Sequence, residues 1–236
     1  MSISSWSHTK LVLFQTCKRA AYLKYDQRIP EPERPLPPGK TEHANDRGTR
    51  VHEECERFVR AEQDDVCHEA AQYFGPELSL LRALHKDGLV SIEGEWGMDR
   101  NWEPCDWKTA WLRLKLDAIV FHSPYEATAI DYKTGRKFGN EVKHAEQLQL
   151  YQLVTFLRYP KLEKVTTELW YLDQNEVTRQ TFTRAQGLRF KSNFDRRGLE
   201  LTECKDFPPN ANVFSCRYCM YGPWGTGHCE VGVQKK

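Results

Sequence analysis

Apolar positions along the chain recur with two periods, and the changes of period mark out its elements. Residues 4–25 alternate Ser/Thr caps with helically spaced apolar positions. They predict two short helices with a break near Gln15–Thr16, leaving Cys17 at the start of the second. Five prolines between Pro30 and Pro38 predict an extended connection across the surface rather than a separate domain. Helical spacing resumes with Asp46 as the expected N-cap and a buried stripe of Val51, Cys55, Phe58 and Val59. His52 lies next to that stripe, with Glu56 one turn further on. A second helix is expected over Cys67–His85, ended by Gly88, and strand character begins at Leu89.

After an irregular, Trp-rich stretch (Asp99–Lys108), residues Trp111–Lys133 read as strand, turn, strand. A turn about Pro124 makes positions that sum to 248 face each other, so Asp117 falls opposite Asp131. A helix is expected from Val142 to Arg158, with Val142, Ala145, Leu148, Val154 and Leu157 as its apolar positions and Gln147 and Tyr151 on one face. Val165–Leu172 and Val177–Phe182 read as strands joined by the polar turn Asp173–Glu176, and Thr183 is expected to cap a last helix through Thr202. The tail from Cys204 is irregular and cysteine-bearing. Strands alternating with helices define an α/β fold.

At 236 residues the chain can bury one sizeable core. With 28% charged and 12% aromatic residues it is polar but globular, and a net charge of +1 excludes a bulk polycation while leaving room for a local basic groove. No apolar run approaches a membrane span, and the first residues lack the charged-then-apolar pattern of a signal peptide. The expectation is a cytoplasmic protein, in which eight cysteines stay reduced or bind metal.

Asp131 and Lys133 share one face of a strand. Four acidic-x-Lys pairs occur: Asp106/Lys108, Asp131/Lys133, Glu141/Lys143 and Glu203/Lys205. Only Asp131 ends an apolar strand that follows another strand bearing an aspartate. Carboxylates opposed at roughly 5 Å across a ladder repel unless a positive charge lies between them. A divalent cation on oxygen ligands, with Lys133 beside it, is the simplest occupant, and the arrangement is nuclease-like. Taken singly, His52 suits a partly buried structural histidine as well as a ligand, and Gln147 and Tyr151 suit an ordinary amphipathic helix.

The order GTRVHEECE (Gly48–Glu56), LDAIV with Asp117, IDYKTG (Ile130–Gly135) and QLQLY (Gln147–Tyr151) resembles the RecB-like branch of the PD-(D/E)XK nucleases. That branch includes the nuclease domains of RecB and AddB, the CRISPR-associated spacer-acquisition exonucleases and phage recombination exonucleases. The resemblance spans Ser7 to Cys229 and implies a restriction-endonuclease-like central mixed sheet flanked by helices. It also implies His52, Asp117, Asp131 and the Tyr132 carbonyl as metal ligands for Mg²⁺ or Mn²⁺, Lys133 as the motif lysine, and Gln147 and Tyr151 lining the site beside DNA. Glu93 or Glu95 is a candidate accessory acid. The implied activity is phosphodiester hydrolysis on DNA, single-stranded or at duplex ends, most simply by an exonuclease; a structure-specific endonuclease or a non-catalytic DNA-binding subunit are the alternatives. A helicase or single-strand-annealing protein is the expected partner.

Cys216-Arg-Tyr-Cys219 followed by Cys229 has metal-ligand spacing. The resemblance adds Cys17 and implies a [4Fe–4S] cluster that staples the N-terminal helical segment (1–25) to the tail (204–236) within one domain (1–236). The nine-residue gap before Cys229 is longer than the family's usual pattern, and Zn²⁺, with His228 or Cys204, is the rival. The basic segment Arg184, Arg189, Lys191, Arg196 and Arg197, with Trp6, His8, Lys10, Lys18 and Arg19, reads either as a phosphate- and base-contacting surface or as solvated helix faces.

Overall fold

The structure, a computed structural model, describes residues 3–33, 35–135 and 137–233, with the side chain of Glu93 outside that description. The chain divides into two compact units, one of Met1–Pro35, Trp111–Arg113 and Ser192–Lys236 and one of Leu36–Ala110 and Leu114–Lys191.

The larger unit is built on a six-stranded mixed sheet in the order β2-β1-β3-β4-β5-β6. Its strands are β1 (Val90–Met98), β2 (Pro104–Cys105), β3 (Leu112–Ser123), β4 (Glu126–Lys133), β5 (Lys164–Tyr171) and β6 (Glu176–Thr183). β3 and β4 form the expected hairpin. Ala118 faces Ile130, Ile119 faces Ala129, Val120 faces Thr128 and Phe121 faces Ala127, and the register shifts by one only at Ser123/Glu126. β4 and β5 run parallel, from Glu126/Lys164 to Lys133/Tyr171. A parallel pair needs a long crossover, supplied by helix α5 (Glu141–Arg158).

Helices α3 (Ala44–Val59) and α4 (His68–Lys86) pack on one sheet face. Val51, Cys55, Phe58 and Val59 meet Phe74, Leu78, Ala118, Val120, Ile130, Tyr132 and Trp170 in one core. α3 begins three residues earlier than expected, with His43 at the N-cap and Asp46 inside the first turn, where a carboxylate favours the positive end of the helix dipole. The opposite face of β5 packs on α5, where Leu148 meets Leu169 and Tyr171. Strand alternation therefore sends Ile130 and Tyr132 toward α3 and α4, and Asp131 and Lys133 toward α5. Val142 departs from expectation: in the first turn of α5 it is exposed rather than buried.

Thr183 does cap a helix, through a capping box with Gln186. The helix is not continuous, however: α6 (Arg184–Leu188) ends and α7 (Lys191–Thr202) starts afresh. Gly187 lies so close to α5 that a Cβ there would meet Gln152 Oε1 at 2.0 Å and the Phe156 ring at 2.6 Å, so packing against α5 sets the course of α6.

In the smaller unit, α1 (His8–Thr16) and α2 (Lys18–Ala21) flank Cys17, followed by a π-helical turn over Tyr22–Asp26. Trp6 is fully buried, edge-on to Trp111 at 5.4 Å and stacked on Phe194 at 6.4 Å. Trp6 is thus core, and the expectation that it stacks on bases is corrected. Lys10 and Arg197 are likewise spent internally, Lys10 Nζ on Ser5 and Arg197 on Gln15 and Asn193. In the larger unit Arg184 donates to the Phe156 and Leu162 carbonyls. A short helix, α8 (Val213–Cys216), capped by Asn212, leads into the cysteine-bearing tail.

Candidate active site

Four elements of the larger unit bring the predicted residues together: His52 from α3, Asp117 from β3, Asp131 and Lys133 from β4, and Gln147 and Tyr151 from α5. Both carboxylates are buried, an environment that penalises their charge unless each has compensating partners.

Asp117 has two partners. His52 Nδ1 lies 2.8 Å from its Oδ1, and the Tyr132 amide donates to its Oδ2. Burial, the largest influence, and the Asp131 charge raise the Asp117 carboxyl above its ordinary range, against the opposing pull of the His52 charge and of the two hydrogen bonds it accepts. For His52, burial alone would lower the imidazole pKa. The charge and hydrogen bond of Asp117, with the field of Asp131, outweigh that and raise it to about 9. His52 is therefore imidazolium at neutral pH. The Tyr132 ring packs edge-on against His52 at 5.7 Å and leans on Trp170, fixing the imidazole from the core side.

Asp131 is held from α5. Tyr151 donates its hydroxyl to Oδ1 at 2.8 Å, and Gln147 Nε2 reaches the same oxygen at 3.3 Å and the Tyr151 oxygen at 2.5 Å. Burial, and then the charge of Asp131, push the Tyr151 phenol well above its usual range, so it stays a donor. Asp131 Oδ2 is buried and accepts no hydrogen bond. Lys133 Nζ sits 2.5 Å from it, a charge contact without donor alignment.

Each carboxylate has its own cationic neighbour, Asp117 the His52 imidazolium and Asp131 the Lys133 ammonium. No three His, Cys, Asp or Glu side chains among the described residues stand in a geometry that could hold a metal ion. The donor chemistry still fits a hard divalent cation: two carboxylates and an imidazole, with a buried anionic oxygen on Asp131 that lacks a hydrogen-bond donor. Glu95 is half exposed and paired with Lys115 at 2.9 Å; the side chain of Glu93 lies outside the described residues.

A brace around the turn that follows Lys133 carries no signal in the sequence. Gly135 has φ +111°, a conformation that favours glycine. Its amide donates to Asp173 Oδ2 at 2.8 Å, and its carbonyl accepts from Gln174 Nε2 at 2.6 Å. Asp173 also accepts from Arg47 Nη1 and Nη2, at 2.9 and 2.7 Å. The β5–β6 turn thus ties the lysine-bearing strand to the histidine-bearing helix. His144 on α5 meets the Tyr171 hydroxyl at 2.7 Å, and Tyr171 is the cross-strand neighbour of Lys133.

In the smaller unit Cys17, Cys216, Cys219 and Cys229 line one cavity with Ala20, Leu23 and Tyr221. All four are unbridged thiols. Burial pushes Cys219 and Cys229 upward, and the neighbouring thiols add to the shift. Cys55 and Cys67, which carried no sequence pattern as a pair, are buried with their sulfurs 3.8 Å apart.

Residues 5–224 match the family model of the PD-(D/E)XK nuclease superfamily, and the chain belongs to that superfamily. No curated protein matches it. Among solved structures, one described as the crystal structure of SSO0001 is similar at 14% identity and a TM-score of 0.47, over 99% of this chain and 90% of that one. Among the described residues no helix is long and apolar enough to cross a membrane.

Proposed function

We propose that the chain is a metal-dependent deoxyribonuclease of the RecB-like branch, hydrolysing phosphodiester bonds from a DNA end in recombination, repair or phage DNA processing. One observation carries this: His52, Asp117, Asp131, Lys133, Gln147 and Tyr151, spread over a hundred positions, meet through hydrogen bonds and ion pairs in a single site. The end-directed mode follows the resemblance of its motif order to exonucleases.

His52, Asp117 and Asp131 would hold Mg²⁺ or Mn²⁺, with the Tyr132 carbonyl as a further ligand; an imidazole among oxygen donors is better tolerated by manganese. When bound, the ion supplies Lewis acidity for the scissile phosphate and acidifies a water. The chain's own groups do the rest. Tyr151 and Gln147 hold Asp131 Oδ1, so its other oxygen faces the reacting centre. The Tyr132 amide fixes Asp117. Lys133 places a point cation where negative charge grows on the phosphate oxygens during attack and on the departing oxygen. We further propose that Cys17, Cys216, Cys219 and Cys229 ligate a [4Fe–4S] cluster, with Zn²⁺ as the rival, in a structural role.

Digestion of end-labelled single- and double-stranded DNA, linear and circular, with Mg²⁺ or Mn²⁺ tests the mode. Linear substrates are degraded and covalently closed circles survive; cleavage of closed circles assigns an endonuclease instead.

A further inference from the structure

The segment between Lys133 and Glu141 joins two elements that both furnish site residues, and it displays apolar surface to solvent. Phe138 is 89% exposed and Val142, in the first turn of α5, is 80% exposed. A phenylalanine held in water forgoes the burial its ring normally finds.

The base from which Phe138 projects is tied down. Lys137 Nζ bonds Glu176 at 2.9 Å and lies 5.7 Å from the Tyr171 ring. Tyr171 pairs with Lys133 across the β4–β5 ladder, and its hydroxyl meets His144. Phe138 follows Lys133 by five positions, within about 17 Å of extended chain.

The charge nearby favours an anionic occupant. Between positions 133 and 144 the sequence carries Lys133, Arg136, Lys137 and Lys143 against Glu141; Lys133 also faces Asp131 and Lys137 faces Glu176, so the local excess of positive charge rests on Arg136 and Lys143 in the sequence. Cations interleaved with an exposed ring suit a single strand, whose phosphates track the cations while an unstacked base covers the ring. A duplex keeps its bases stacked inside and offers the ring no face.

We propose that Phe138, with Val142 four positions on, is a stacking platform for an unstacked base of single-stranded DNA beside the active site. This rests on the DNA-nuclease function proposed above and adds a substrate preference to it.

Fluorescence anisotropy in EDTA, with a labelled dT oligomer and a blunt duplex of equal length, tests the platform without cleavage. Phe138→Ala weakens single-strand binding about 5- to 150-fold, Phe138→Trp restores it, and duplex binding moves less than about twofold. Because Phe138 is exposed, an unchanged thermal midpoint in both variants separates lost stacking from lost fold. Equal single-strand affinity in wild type and Phe138→Ala overturns the proposal. So does a parallel loss on single strand and duplex, or a change confined to the sedimentation mass, which would mark the ring as a contact between two copies of the chain. Wild-type chain that binds neither DNA overturns the platform, and the nuclease function falls with it only if that chain also cleaves neither DNA in Mg²⁺ or Mn²⁺, so the two failures are distinguishable.

Discussion

At the scale of single residues, the site stores its charge in pairs, and the pairs set a pH dependence. The folded His52 pKa of about 9 stands above its ordinary 6.5. The His52–Asp117 pair therefore contributes stability that is fully present below pH 6.5 and is lost as pH rises through 9. In chelator, the urea midpoint of the chain falls across that window, and His52→Gln flattens the fall. Manganese affinity runs the opposite way, rising with pH, because the cation must displace the His52 proton; calorimetry in buffers of different ionisation enthalpy at pH 7 counts the proton released. An affinity flat from pH 6.5 to 9 would remove His52 from the ligand set.

At the scale of elements, the brace around Gly135 decides whether the lysine and histidine stay aligned. Arg47 and Asp173 are both largely shielded from water, and a hydrogen bond to a charged group contributes about 1.5–3 kcal/mol. Asp173→Ala is expected to cost about that much in urea denaturation and to lower cleavage more than it lowers DNA binding. Asp173→Asn, which keeps an acceptor for the Gly135 amide, recovers part of both. The hairpin, the two packing helices and the register that sets Asp131 were legible in the sequence, because alternation and turn position act locally. The brace was not: Arg47 and Asp173 are 126 positions apart, and Asp173 looked like ordinary turn chemistry. The close approach of Gly187 in α6 to α5 was hidden for a similar reason, since Gln152 and Phe156 lie more than thirty positions away. The basic character of Arg184 and Arg197 likewise gave no clue that both serve carbonyls and amides inside their own units.

At the scale of the whole molecule, two compact units carry two candidate centres: the carboxylate–lysine site in the larger, and four thiols around one cavity in the smaller. Anaerobically purified chain is expected to be brown, absorbing near 400 nm (roughly, for iron–sulfur charge transfer). Cys216→Ser removes that absorption, while a colourless protein with stoichiometric zinc assigns the site to the rival metal. The central claim belongs to the larger unit and has a direct measurement. Wild type and Lys133→Ala are compared for cleavage of end-labelled linear DNA in Mg²⁺ or Mn²⁺, with binding followed in parallel. Removing one preorganised charge from a reacting centre costs about 10²–10³ in rate, so cleavage by Lys133→Ala falls at least that far while DNA affinity stays close to wild type. Cleavage by Lys133→Ala at the wild-type rate would contradict the assignment of this site.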